Sequence, residues 1–154
     1  MHDNHQILHA TALSYHQQGI LLQGDSGQGK SETALCLIDR GAILVADDMV
    51  ILYKEEGRLF VAVPDIMDEQ PHNPLWGKLA LRGIGMLDMP YQKKSPLHLF
   101  VTLHDKAPME TPCPVQTKTW WGLHVPVVAC CAFEHTAAIK ILYALRAYAP
   151  NNTP

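Results

Sequence analysis

The chain has 154 residues, 47% of them hydrophobic and 18% charged, a composition that builds one domain with a real core and excludes a disordered chain. Twelve Lys+Arg stand against 15 Asp+Glu, a formal net charge of -3, so no basic field exists to hold a nucleic-acid backbone. No apolar run reaches the roughly 20 residues of a membrane-spanning helix, and Met1-His2-Asp3-Asn4-His5-Gln6 lacks the n- and h-regions of a signal peptide.

In chain order, residues 6–14 read as a strand and His16-Gln17-Gln18-Gly19 as a hairpin turn. Residues 20–23 form a short buried strand, and a glycine-rich loop follows at 24–29. Residues 30–39 are helical, with Ala34, Leu35 and Ile38 on one buried face and Arg40-Gly41 as the stop. Ala42–Ala46 is a buried strand ending at Asp47-Asp48. Met49–Tyr53 and Leu59–Val63 make a hairpin across Lys54-Glu55-Glu56-Gly57-Arg58. Residues 64–78, with Pro64, Pro71 and Pro74, read as an irregular connection, and Lys93-Lys94 as a solvated loop. Leu97–Leu103 alternates as a strand, 107–116 is a proline-rich loop, and Leu123–Phe133 is a strand. Thr136 is positioned to cap a last helix over 137–149, ended by Pro150. The sum is an α/β or α+β domain over 1–150 with a frayed tail at 151–154.

Cys36, Cys113, Cys130 and Cys131 form no C-x-x-C pair and read as reduced core or near-core thiols of a cytoplasmic protein, Cys130 and Cys131 facing opposite sides of a strand. The nine histidines show no zinc-site spacing. Trp120 and Trp121 read as a core and a rim residue, either able to stack on an adenine, and Tyr143 and Tyr148 as packing or interface residues.

The chemistry concentrates in Gly24-Asp25-Ser26-Gly27-Gln28-Gly29-Lys30-Ser31, which fits G-x-x-x-x-G-K-[ST] at every fixed position. The glycines let the chain curl so that successive N–H groups face one point, an anion nest. The helix opened at Lys30 adds its N-terminal donors and dipole. Lys30 reaches the β- and γ-phosphates of a nucleotide, and the Ser31 hydroxyl can ligate Mg²⁺. The motif follows a strand and opens a helix, the context a P-loop requires. Asp25 and Glu32 read as carboxylates of the helix N-terminus.

The strand Ile43–Ala46 delivers two carboxylates, Asp47 and Asp48, at its carboxyl end, where ligands gather in open α/β sheets. Successive residues point differently, so one carboxylate can serve the Mg²⁺ shell and the other accept a proton from an attacking hydroxyl.

Gly24–Leu35, Arg40-Gly41 and Val45-Ala46-Asp47-Asp48 together resemble the catalytic domain of bacterial HPr kinase/phosphorylase. Leu81-Arg82-Gly83-Ile84-Gly85-Met86-Leu87-Asp88 is similar to that family's second signature, and Leu8-His9-Ala10-Thr11 supplies its upstream histidine. The likeness covers residues 6–103 well and the rest weakly, and the chain looks like the short form, a catalytic domain alone. The resemblance implies a P-loop-containing, phosphoenolpyruvate-carboxykinase-like fold, the substrates ATP and HPr, the phosphocarrier protein of the sugar phosphotransferase system, and Mg²⁺. It implies transfer to a serine of HPr, reversed in many members by inorganic phosphate with release of pyrophosphate. Carried over by position, Lys30 holds the β-phosphate, Ser31 is a metal ligand, Asp47 accepts the proton, Asp48 supports the metal shell and His9 lies near the reacting phosphate. Read unaided, a lone histidine in a strand such as His9 is more often a structural residue, and the resemblance brings the two readings level; Arg82 either stabilises transferred charge or pairs with an acid.

The chain departs from the family in three ways. Ala80 stands where a metal-serving glutamate precedes the arginine. Met89–Lys94 replaces a glycine-rich segment tied to HPr contact and oligomer packing, which points to a smaller assembly than the family's hexamers. No arginine lies between Arg82 and Arg146, so free phosphate loses cationic donors and phosphorylase activity is expected to be weak or missing. Two other functions share the same cradle: a non-catalytic ATP-sensing module, favoured by Ala80, and a small-molecule kinase or nucleoside triphosphatase, which needs a pocket lined by cations that this chain is expected to lack.

Overall fold

A computed structural model of the chain describes residues 4–25, 27–68, 74–106, 108, 110–111 and 114–149. The elements are β1 (His5–Leu8), β2 (Thr11–Tyr15), β3 (Gln18–Gln23), α1 (Lys30–Asp39), β4 (Ile43–Ala46), β5 (Val50–Glu55) and β6 (Arg58–Ala62). They continue with β7 (Lys78–Leu81), β8 (Gly85–Asp88), β9 (Lys94–His104), β10 (Thr117–Trp120), β11 (Leu123–Cys131) and α2 (Ala137–Tyr148).

One sheet runs in the order β1-β5-β6-β9-β3-β2-β4, with β11 beside β9 and β10 beside β11; β7 and β8 form a separate hairpin. β9 is the hinge of this arrangement. Its first residues pair antiparallel with β6. Its later residues lie between β3 and β11, parallel to both. β2 is antiparallel to β3 and to β4, so β3, β4, β9 and β11 all point their carboxyl ends to one edge. The loop after β3, the aspartates after β4 and the turn after β11 meet there.

The central strands β2 and β3 are buried almost without interruption because both faces of the sheet are covered, successive side chains entering opposite clusters. Leu13, Ile20, Leu22, Leu99 and Val101 join the cluster packed beneath α1 and α2. Ala12, Leu21, Leu97 and Phe100 face the other way, into a cluster with Val50, Leu52, Val61 and Trp120. Cys130 and Cys131 lie on opposite faces and are both buried, as their adjacency requires. Cys36 departs from the expected core position: it is exposed on α1. Cys113 lies outside the described residues.

The sequence-based boundaries need four corrections. The strand expected over 6–14 is two strands, broken at His9-Ala10. The irregular connection expected over 64–78 stops short of Lys78, where β7 opens a hairpin that turns at Arg82-Gly83-Ile84. β10 has no counterpart in the expected elements, because it folds onto β11 through Trp121-Gly122, with φ 49° at Trp121, a conformation bulky residues seldom take. Lys93 and Lys94 are both exposed as expected, but they do not form a loop: Lys94 opens β9 and lies 3.6 Å from Glu55, and Lys93 sits 4.2 Å above the Trp76 ring. Thr136 occupies the N-cap position of α2 but its hydroxyl makes no capping bond. Pro150 and the tail from 151 lie outside the described residues.

Candidate active site

The glycine-rich loop leaves β3 at Gly24 and enters α1 at Lys30. Gly27 and Gly29 have φ of 87° and 85°, left-handed values that other residues rarely adopt. Gly29 is also hemmed in: a Cβ there would stand 2.7 Å from the Cβ of Ala132. Gln28 N–H donates to Asp25 O at 3.0 Å, closing the turn. The Lys30 ammonium donates to Gly24 O at 2.6 Å and so lies across the loop. Ser26 lies outside the described residues.

A cleft of about 520 Å³ opens over this loop. Its floor includes Gly27, Gly29, Lys30 and Ser31, with Glu32 at the start of α1; Gly24, Asp25 and Gln28 do not line it. Asp47, Asp48 and His9 form one wall, and Lys78, Ala80, Arg82 and Met86, from the β7–β8 hairpin, form another. Leu75 and Phe133 complete the rim. All four residues expected to be catalytic, Asp47, Lys30, His9 and Arg82, therefore share one cavity with Ser31 and Asp48.

Asp47 is held from two sides. The Thr11 hydroxyl donates to its Oδ1 at 2.8 Å, and Ala80 N–H donates to its Oδ2 at 3.3 Å. Ala80 thus serves the site through its backbone, although its side chain cannot bind a metal. Asp48 takes φ 69° while Met49 N–H donates to Asp47 O at 2.8 Å. That is a γ-turn with positive φ at its centre, the rarer and more strained form. It separates the two carboxylates. Asp48 Oδ1 lies 2.5 Å from His9 Nε2, both side chains being largely exposed. His9 is thus in the break between β1 and β2, not a structural residue inside a strand.

Arg82 is exposed at the hairpin turn and makes no ion pair among the described residues. Lys78 pairs with Asp88 across the hairpin, where the two residues are in register. Lys78 and Phe133 belong to no motif: the first is a half-buried cation at the start of β7 and the second an exposed large apolar residue just after β11. Neither tryptophan is placed for an adenine at this cleft. Trp120 is 8% exposed and packs edge-on against Phe100, and Trp121 is packed against the same cluster.

The donor set suits a polyphosphate: the glycine-rich loop, the amino end of a ten-residue helix and two further cations. Among the described residues no group of three or more His, Cys, Asp or Glu side chains is placed to hold a metal alone. Ser31 and Asp48 fit Mg²⁺ as it is usually bound beside phosphates, through one or two protein oxygens with the rest supplied by phosphate and water.

Residues 3–108 match the family described as HPr Serine kinase C-terminal domain, more than half of the chain. The chain belongs to that family. An HPr kinase/phosphorylase of Clostridium tetani is 43% identical over 83 residues, 54% of this chain and 25% of that protein. One of Streptococcus thermophilus is 43% identical over 83 residues, 53% of this chain and 24% of its own. The chain spans about a quarter of the length of these curated relatives. The structure matches the Hpr(Ser) kinase/phosphatase from Coxiella burnetii with a TM-score of 0.71 and 27% identity, over 92% of this chain and 88% of that one. The family's mixed α/β fold therefore continues past the matched segment into β10, β11 and α2. No helix among the described residues is long and apolar enough to cross a membrane.

Proposed function

We propose that this family member is an ATP-dependent protein-serine kinase that phosphorylates HPr or an HPr-like phosphocarrier protein, and that Gly24–Ser31 is a P-loop of the phosphoenolpyruvate-carboxykinase-like type. One observation carries the reading. Asp47, fixed by Thr11 and Ala80, opens into the same cleft as Lys30 and Ser31.

The loop N–H groups and Lys30 bind the β- and γ-phosphates of ATP. Ser31 and Asp48 hold Mg²⁺, which when bound neutralises charge on the transferred phosphate. Asp47 takes the proton of the attacking serine hydroxyl while that oxygen bonds to the γ-phosphorus. The bond to the bridging oxygen breaks, and ADP leaves with its electron pair. The hydrogen bonds from Thr11 and Ala80 fix Asp47 in one orientation, which positions its proton-accepting oxygen. Arg82, free of an ion pair among the described residues, faces the developing charge across the cleft. His9 orients Asp48.

Arg82 is the one arginine lining this cleft among the described residues. Inorganic phosphate therefore meets a single guanidinium there, and phosphorylase activity should be weak or missing. Pyrophosphate formation from phosphoserine-HPr measures this directly; robust output contradicts it.

The deciding experiment incubates the protein with labelled ATP, Mg²⁺ and HPr. Label should reach an HPr serine and fall at least 100-fold in Asp47→Asn. Nucleotide binding without transfer would instead identify a sensing module. Lys78 and Arg82 in the cleft also support a second reading, a kinase for a small anionic substrate, which turnover without any protein acceptor would reveal. Lys30→Ala should remove most ATP affinity by calorimetry.

A further inference from the structure

The cleft has a direction, which the strand order supplies. Across the part of the sheet beneath it the order is β11-β9-β3-β2-β4. The glycine-rich loop sits at the end of the central strand, β3. Asp47 and Asp48 end β4, two strands to one side. Phe133 lies in the turn after β11, two strands to the other side, and lines the same cleft. If Asp47 faces the reacting end of the polyphosphate, the nucleoside must leave the loop toward β11.

Phe133 is 63% exposed, although it is a large apolar residue in a turn otherwise anchored by the core. The turn itself is tightly placed: Ala132 packs against the core beneath α1 and α2, and Glu134 N–H donates to Cys131 O at 3.2 Å. A Cβ at Gly29 would stand 3.6 Å from Phe133 Cε1, so the ring borders the phosphate loop. An exposed aromatic face fixed beside an anion nest has the chemistry to stack a planar base.

Resting on the P-loop reading above, we infer that Phe133 forms the nucleobase subsite: the base stacks on its ring, and the triphosphate runs from there over Gly29 toward Asp47. Stacking supplies affinity without hydrogen-bond readout, so this subsite favours bases over bare phosphate and discriminates little between adenine and guanine.

The test compares binding of ATP and of inorganic tripolyphosphate, each with Mg²⁺, to the unaltered protein, Phe133→Ala and Phe133→Tyr. Because Phe133 is exposed, both variants should melt within a few degrees of the parent. Phe133→Ala should bind ATP about 5- to 150-fold more weakly and tripolyphosphate with unchanged affinity, while Phe133→Tyr should retain ATP binding. Unchanged ATP affinity in Phe133→Ala would overturn the subsite and leave the phosphate cradle standing. A weakened KM for HPr alone would also overturn it, marking Phe133 as a protein contact. Failure of the unaltered protein to bind either ligand would overturn both readings.

Discussion

Asp48 shows how much of this site depends on one backbone angle. Its φ of 69° turns the chain sharply after β4, so that Asp47 meets Thr11 and Ala80 while Asp48 meets His9. A non-glycine residue held there costs about 1–3 kcal/mol. Asp48→Gly should therefore relieve strain and leave the melting temperature equal or higher, yet weaken Mg²⁺-dependent transfer. Asp48→Asn should keep the parent stability and lose the same activity. A thermal melt beside a kinase assay separates the two; a large drop in the melting temperature of Asp48→Gly would refute the strain. The motif residues were legible because a P-loop is local: its glycines, lysine and serine act within eight consecutive positions. Thr11 and Phe133 were not, because their roles come from partners far along the chain, Asp47 and Gly29.

At the scale of elements, the β7–β8 hairpin and α2 make contrasting contributions. The hairpin brings Lys78, Ala80 and Arg82 over the loop, and its Lys78–Asp88 pair is a surface pair with one partner 83% exposed. Such pairs contribute about 0–1 kcal/mol. Lys78→Ala should move a urea midpoint little while weakening the binding of phosphate-bearing ligands at low salt. α2 is anchored by packing: Ile141 is fully buried and Leu145 nearly so, in the cluster shared with α1. Ile141→Ala should destabilise the fold by about 2–5 kcal/mol, read from the same urea titration. Most element types followed from periodicity and turn chemistry. The exceptions are instructive. The strand pattern continues through His9-Ala10 because Ala10 is itself fully buried, so hydropathy carried no sign of the break. The Trp121-Gly122 hairpin put a bulky residue at positive φ, against the usual composition of tight turns.

Across the whole molecule, burial of titratable groups sets the response to pH. His98 is 7% exposed on β9, and burial, aided by the nearby Arg58, lowers its pKa below the usual 6.5, against a backbone hydrogen bond at Pro96 that raises it. Above pH 6.5 both folded and unfolded chains hold a neutral imidazole. As the pH falls below that value, the unfolded chain takes up a proton that the folded chain resists, so stability declines until the folded pKa is passed. Urea midpoints should therefore drop between pH 7 and the acid side of 6, and His98→Gln should flatten part of that slope; an identical slope in the variant would exclude His98 as a source. The class of fold could be read from composition and alternation, but the strand order could not. β9 pairs with β3, some 79 residues earlier, and with β11 beyond the proline-rich stretch, and such distant parallel pairings leave no mark in local sequence.

The central position of β9 has a consequence for biogenesis. The strand that bears the phosphate loop completes its pairing with its parallel neighbour only once the chain has been made through Thr102, the partner of Gln23. A chain that ends before that point carries the full glycine-rich motif together with β2 and β4 but lacks the parallel neighbour of β3. Fragments that stop short of β9 should therefore bind nucleotide far more weakly than the whole chain, which calorimetry would read.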